Sequence, residues 1–412
     1  MQKQDNKSTL TGLVLIGIIF VAYSIFFPYT PEETPDPGVA DTKKVEIKTE
    51  ESTDPKDDNP DEDNTKVIID ATETKKLDKQ DEKTYTLEND KIKLIFTNKG
   101  GEIKSAIIKG FYTYDEYKKN RNDPTYERKF IEIFNNKDSK FEISDGRNIS
   151  TNKYFSVKEE SDQSITFIKE YEKGVFIEYI YTLNDEKENF VDLTINTEGI
   201  SNPELVWTIA APETEKSKTN QELGTGFYYQ EEHSKDVDYT WDNDDFEINE
   251  FETDLSWISF TQQFFSTIIE AKNNNFNSDT KLKSSKNEND EYVKTLSLKT
   301  TLKSGENNYS IYFGENDYNK LKGYDKEFEK IIPLGPWIFG WVNRVAVIPI
   351  FNFLKNSAGL TNFGLIILIL TLIIKLSLSP LTYKSYLSQA KMKVLKPEID
   401  KINEKYKAKD PM

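Results

Sequence analysis

The stretch "KIKLIFTNKGGEIKSAIIKGF", residues 91–111, decides the fold class. Before Gly100-Gly101, the residues Ile92, Leu94 and Phe96 alternate with polar neighbours, and a second apolar run follows the glycines. A period of two puts alternate side chains on one face of a strand, and a Gly-Gly pair between two such runs signals a hairpin. The same grammar continues in "SITFIKEY", "VFIEYIYTL", "FVDLTINT", "LVWTIAA", "YVKTLSLKTTL" and "NYSIYFG". These Tyr-, Phe-, Ile- and Thr-rich runs have strand length and are separated by Asn, Asp, Lys and Gly turns. No long amphipathic helix lies between them, so residues 82–328 read as an antiparallel β-sandwich domain rather than a βαβ fold. No internal repeat is visible.

Outward from this domain the composition changes twice. Residues 28–81 carry six prolines, 17 acidic and 8 basic residues, with few large apolar groups. Such a segment cannot bury enough surface to offset its chain entropy, which predicts a flexible acidic linker with no binding role of its own. Before it, "LTGLVLIGIIFVAYSIFF" at 10–27 just reaches bilayer-spanning length, and residues 1–9 precede it. Ala22-Tyr23-Ser24 faintly resembles a cleavage site but sits inside the apolar run, so 10–27 reads as an uncleaved signal anchor.

Residues 329–412 form a membrane module. "PWIFGWVNRVAVIPIFNFLKN" is apolar but holds Asn343 and Arg344 near its centre and Pro349 beyond them. It either spans or lies in the interface, with Trp337 and Trp341 at headgroup depth. Lys3 and Lys7 precede the first span, and eight lysines lie between 384 and 412. The positive-inside rule puts both ends in the cytoplasm, which two spans satisfy and three do not. The expected order is therefore an interfacial amphipathic helix at 329–358, a second transmembrane helix at 359–382 and a basic cytoplasmic segment at 383–412.

Within the second span, "LIILILTLIIKLSLSPLTYKSY" at 365–386 holds a lysine, Lys375. If the helix ran from about 362 to 381, Lys375 would lie roughly 9 Å from its cytoplasmic edge, near enough for its ammonium to snorkel. Its neighbours argue for more. At about 100° per residue, with Lys375 at zero, Thr371 falls at roughly −40°, Ser379 at +40° and Thr382 at −20°. Ser377 lies on the far side, and Leu368 occupies the same face further outward. A snorkelling lysine has no use for companion hydroxyls, whereas a hydrated cavity open to the cytoplasm does. Pro380 removes a backbone bond to Leu376 and predicts a kink there, with hydroxyls nearby for the freed group.

Composition narrows the remaining classes. The chain has 412 residues and a formal charge of −17, and its mean hydropathy is −0.67. It is not polytopic throughout, and its acidity argues against general nucleic-acid binding. With no cysteine there are no disulfides, thiol chemistry or lipidated N-terminal cysteine, and the single histidine, His233, leaves little for a multi-His metal site. No cofactor is expected.

"NFGLIILILTLIIKLSLSPLTYKSYLSQAKMKVLKPEIDKINEKY" resembles the first core helix and cytoplasmic hairpin of the YidC membrane-protein insertases. The residues that carry the likeness are Lys375, Pro380-Leu381-Thr382, Ala390-Lys391-Met392 and Lys396-Pro397. "WISFTQQFFSTII", at 257–269, is similar to a segment near the end of that family's large periplasmic domain. Anchor, linker and β-rich region match the Gram-negative form, so the resemblance covers essentially the whole chain. Many members have arginine where this chain has Lys375, which keeps the charge and loses the bidentate fork.

The resemblance implies a periplasmic β-supersandwich and a positively charged groove, open to cytoplasm and lipid. That groove would receive the polar flank of a nascent membrane protein, alone or with the Sec translocon. Lys375, Thr371, Ser379 and Thr382 would line it, and Lys391, Lys393 and Lys396 would sit at its cytoplasmic mouth near the substrate or ribosome. Their lysine-rich character also satisfies the positive-inside rule without any such contact. No bond is made or broken, so no enzyme activity and no nucleotide are implied. Family members continue through the second half of the hairpin and several more helices, whereas this chain stops at Asp410-Pro411-Met412. It is therefore expected to be an incomplete, inactive fragment.

The family's β domain resembles those of aldose mutarotases, but mutarotation needs an acid and a base flanking the sugar. His233 alone, in "QEEHSKD", does not supply that constellation. A membrane-anchored periplasmic binding or scaffold protein is the competing reading, with the second helix a mere stop-transfer. The hydroxyl stripe beside Lys375 speaks against it. The aromatics of 257–269 are expected to be packing rather than a ligand platform.

Overall fold

The computed structural model describes residues 81–119, 125–144, 149–184, 187–240, 245–286, 292–360 and 362–407. The signal anchor at 10–27 and nearly all of the linker expected at 28–81 lie outside these residues, as does the N-terminal segment 1–9.

The stretch at 91–111 forms the predicted hairpin, β2 (Ile92–Thr97) and β3 (Glu102–Ile108), which pair antiparallel with Ile92 opposite Ile108. Its turn uses Gly100 and Gly101 at φ +86° and +65°, a left-handed conformation that costs other residues strain. Gly101 is also confined by packing. A Cβ there would sit 2.9 Å from Tyr179 Cδ2 and 3.0 Å from Phe155 Cδ1, two rings stacked at 5.4 Å. Gly101→Ala is therefore expected to lower the unfolding free energy of the β domain by about 1–3 kcal/mol, the range for overpacking. Equilibrium denaturant titration measures it, and an unchanged midpoint would remove the argument.

Around this hairpin lie β1 (Thr84–Glu88), β4 (Ile131–Asn135), β5 (Lys140–Ser144), β6 (Ser156–Glu160), β11 (Gly226–Glu231), β12 (Asp238–Thr240), β13 (Phe246–Ile248), β14 (Leu255–Thr261), β15 (Phe265–Ala271) and β16 (Lys281–Lys286). The strands predicted from alternation are present. They include β7 (Ser164–Glu172), β8 (Val175–Leu183), β9 (Phe190–Glu198), β10 (Glu204–Ala210), β17 (Lys294–Thr301) and β18 (Gly305–Glu315). With β2 and β3 these strands form three antiparallel sheets, ordered β1-β2-β3-β4, β13-β16-β17-β10-β5 and β12-β11-β14-β15-β18-β9-β8-β7-β6. Described helices inside the domain are short: α1 (Tyr114–Lys118), α2 (Lys218–Leu223) and α3 (Tyr318–Lys322), N-capped by Thr113, Ser217 and Asp317. The architecture is the antiparallel, mainly β, sandwich-like fold expected from the sequence.

One apolar core joins all three sheets, with Phe96, Phe141, Tyr179, Tyr181 and Trp207 fully buried in it. The nine-stranded sheet buries its other face as well, where Phe190, Trp257, Ile268, Tyr312 and Phe328 form a second cluster. That explains "WISFTQQFFSTII". Its residues form β14 (Leu255–Thr261) and β15 (Phe265–Ala271), central strands covered on both sides. Alternation is lost there because neither face meets water. Only the turn exposes an aromatic ring, that of Phe264.

Beyond α3 the chain leaves the domain through a short 3₁₀ turn and then α4 (Trp337–Ser357). The start of α4 is tight. Gly335 has φ +90° and Trp337 φ +43°, and a Cβ on Gly340 would lie 2.5 Å from the Gly335 carbonyl oxygen. Pro349 lies within α4 and lacks an N–H to donate. The helix widens to a π-type turn at Asn343–Val347 just before it, where the Ile348 N–H reaches the Asn343 carbonyl. Widening a turn is one way a helix absorbs the clash a proline makes with the preceding turn.

A single helix, α5 (Phe363–Lys407), follows and runs unbroken through Pro380 and Pro397. The sequence predicts a kink at Pro380, and the chain is helical on both sides of it. One lost bond in 45 residues of helix, flanked by long regular stretches, does not end the element. At 1.5 Å per residue α5 is roughly 68 Å long, about twice the hydrocarbon thickness of a bilayer. No turn of a hairpin occurs among its described residues.

Candidate functional site

The site predicted from sequence lies on α5. Its first turn is capped by Asn362, whose Oδ1 accepts from the Leu365 N–H at 3.1 Å. From there the apolar half packs on one side against α4. Ile366 is buried, and Ile369, Leu370, Ile373 and Ile374 are half-buried. On the α4 side the contact is made by buried Leu354 and by Phe351, whose ring stacks on Phe363 at 6.3 Å.

These positions centre roughly 180° from Lys375 around the helix. Thr371, Lys375, Ser379 and Thr382 are all exposed. The structure thus brings the predicted residues together on the face turned away from α4. The opposed packing face was not visible in the sequence, because its partner lies in another helix.

The hydroxyls are not idle. Thr371 Oγ1 donates to the Ile367 carbonyl at 2.7 Å, Ser377 Oγ to Ile373 at 2.9 Å and Thr382 Oγ1 to Leu378 at 3.0 Å. Each bonds four residues back, the usual choice for Ser and Thr in a helix. These bonds correct the expectation that the hydroxyls serve the carbonyl of Leu376 freed by Pro380. The residue placed four positions after Leu376 is Pro380 itself. Thr371 and Thr382, paired locally, still present oxygen lone pairs outward, so the stripe stays polar.

Lys391, Lys393 and Lys396 are exposed along the second half of α5. By the helical repeat Lys393 shares the face of Lys375, roughly 27 Å further on, whereas Lys391 points to the opposite side. His233, considered for sugar chemistry, is exposed at φ +64° in a turn after β11 (Gly226–Glu231). Its only ion-pair partner among the described residues is Glu232, at 3.7 Å. This is no acid–base pair around a ligand.

Two hydrogen-bonded joints fasten α4 to the β domain. Asn319 of α3 and Asn352 of α4 exchange paired amide bonds at 3.0 and 3.1 Å. Asn343 Nδ2 donates to the Leu334 carbonyl at 2.8 Å. The β domain, α4 and the first half of α5 are therefore linked by direct contacts.

Comparison with known proteins agrees with this architecture. The sequence matches the family model of the YidC periplasmic domain over residues 84–348 and that of the 60Kd inner membrane protein over 353–412. It is 30% identical to a membrane protein insertase YidC of Parabacteroides distasonis, covering 98% of this chain and 68% of that protein. It is 32% identical to that of Azobacteroides pseudotrichonymphae, covering 79% and 54%. Among solved structures, YidC of Thermotoga maritima superposes with a TM-score of 0.28 at 13% identity, covering 73% of this chain and 72% of that one. A galactose mutarotase related enzyme of Lactobacillus acidophilus gives 0.33 at 11% identity, covering 56% and 97%. Superpositions this loose carry no functional argument. The family matches, the relatives and the two apolar helices together describe a membrane protein with a periplasmic domain. This chain belongs to the YidC family.

Proposed function

We propose that this protein is a membrane-protein insertase and chaperone, and that the stripe of Thr371, Lys375, Ser379 and Thr382 is one wall of its substrate groove. The observation that carries this reading is the opposition of the two faces of α5. One side is committed to α4, and the other sets a cation among hydroxyls within the apolar half of the helix. A charge left facing hydrocarbon is costly. A groove wetted from the cytoplasm removes that cost and shortens the apolar distance a substrate's polar flank must cross.

In this reading both termini are cytoplasmic, the β domain is periplasmic, α4 lies along the outer interface and α5 spans. The far half of α5, with Lys391, Lys393 and Lys396, reaches the cytoplasmic mouth. Nascent membrane proteins are the substrates, the bilayer is the medium, and the Sec translocon and ribosome are neighbours in the same task. The groove does no bond chemistry.

Cysteine accessibility tests the wetted wall, because the chain has no cysteine to remove. Ser379→Cys and Thr382→Cys should react with a membrane-impermeant thiol reagent supplied from the cytoplasmic side. Leu368→Cys, on the same face nearer the outer surface, should not. If positions 379 and 382 are as unreactive as 368, the hydrated groove is wrong.

A further inference from the structure

Where the β domain meets α4 there is a cavity of ≈ 580 Å³, lined among others by Tyr228, Tyr239, Tyr318, Glu329 and Arg344. A second, of ≈ 470 Å³, shares Tyr228, Ile332 and Pro333 with it and extends past Leu223 and Phe264. Leu223 of α2, Phe264 of the β14–β15 turn and Tyr239 of β12 (Asp238–Thr240) are about half exposed, at 50%, 47% and 58%. Three separate elements thus place large apolar side chains on the rims of these two adjoining cavities.

The recess carries charge of both signs. Lys330, also in its lining, is held by Glu327 at 3.0 Å and donates to the Lys235 carbonyl, so its charge is already answered. Among the described residues Arg344 bonds through Nε alone, to the Gly340 carbonyl at 3.2 Å. Its two terminal nitrogens are left for a ligand, and a guanidinium fork suits a phosphate. Glu329 lines the same cavity and is half-buried. Tyrosine rings beside it add the aromatic surface that favours a cation. Arg344 belongs to α4, whose Trp337, Phe339 and Trp341 are exposed at 93%, 56% and 60%, so the recess opens beside an apolar, aromatic surface suited to the headgroup region.

We propose that this seam binds one zwitterionic phospholipid of the outer face of the membrane. Its phosphate lies on Arg344, its ammonium lies between Glu329 and the tyrosines, and its glycerol end passes Leu223 and Phe264. The proposal rests on the reading that α4 lies in the interface. It adds a lipid that ties the β domain to the bilayer beside the groove helix. Arg344 and Glu329 are separate from the stripe on α5, so removing them leaves the groove wall intact.

The test uses Asn220→Cys, at the edge of the second cavity, carrying an environment-sensitive fluorophore on the otherwise Cys-free protein. Solubilised protein is titrated with short-chain zwitterionic phospholipid, with its anionic counterpart and with inorganic phosphate. Saturable binding of the zwitterionic lipid is expected, weakened about fivefold by Arg344→Gln or Glu329→Gln, the size of one charge's contribution near a membrane. Inorganic phosphate should give no response, which separates a lipid from a free anion. Equal responses to both lipids, unchanged in both variants, would mean unspecific partitioning and overturn the site. A second label at Ile338→Cys, read in vesicles, reports whether α4 enters the interface. A polar signal there defeats the interfacial reading, while saturable binding at the seam would still stand.

Discussion

Lys375→Ala should reduce insertion of substrates with acidic flanks by about tenfold or more, and Lys375→Arg should preserve it. A charge-assisted contact in a partly desolvated site contributes ~1.5–3 kcal/mol, and each 1.4 kcal/mol is a factor of about ten. Alanine removes that contact and leaves the hydroxyls of Thr371 and Thr382 in their own local bonds. Arginine keeps the charge on the face opposite α4, where no described side chain limits its larger head. The acidic flank matters to the prediction. Substrates with neutral flanks lose only the general polarity of the wall and should fall much less. Protease protection of a reporter flank in reconstituted vesicles measures both. If the alanine variant inserts acidic-flank substrates at the normal rate, Lys375 is a snorkelling residue and nothing more. If alanine and arginine are equally defective, the lysine is needed for a reason other than charge.

How much of this was legible in the sequence depends on the distance over which each feature is encoded. The hairpin at Gly100-Gly101 and long strands such as β8 are local patterns, and alternation exposes them. β14 and β15 hide theirs because both faces are covered, and β12 and β13 (Phe246–Ile248) are only three residues each. The partition into three sheets depends on pairings such as β18 with β9 and β10 with both β5 (Lys140–Ser144) and β17. Side-chain periodicity does not specify which strand a given edge will meet. The polar stripe on α5 was readable because it repeats with the helix. Its opposition to a packed face was not, since that needs Leu354 and Phe351 of another helix. The seam is less legible still. Tyr228, Tyr239, Tyr318 and Arg344 come from four elements, so no local pattern brings them together.

Glu102→Gln should stabilise the β domain at neutral and higher pH, by about 3 kcal/mol at the top of the range. Glu102 starts β3 beside the Gly100-Gly101 turn and is only 7% exposed. Burial pushes its carboxyl up from 4.5 to about 7, helped by the neighbouring charge of Glu142 and opposed by bonds from Asn136 and the Phe141 backbone. Asn136 Nδ2 donates to Oε1 at 3.1 Å, while buried Oε2 has no hydrogen-bond partner among the described residues. The folded state therefore holds this proton more tightly than the unfolded one. Its contribution is fully present below pH 4.5 and is lost as pH rises through about 7. A rise of that size corresponds to about 3 kcal/mol at 1.36 kcal/mol per unit. Glutamine can accept the Asn136 bond and carries no charge, so it escapes the loss. Paired denaturant titrations of parent and variant should nearly coincide near pH 4.5 and diverge steadily up to pH 8. Groups common to both proteins cancel in the difference, which isolates this carboxyl. A gap that stays constant with pH would mean Glu102 ionises freely, and that Oε2 meets water in solution.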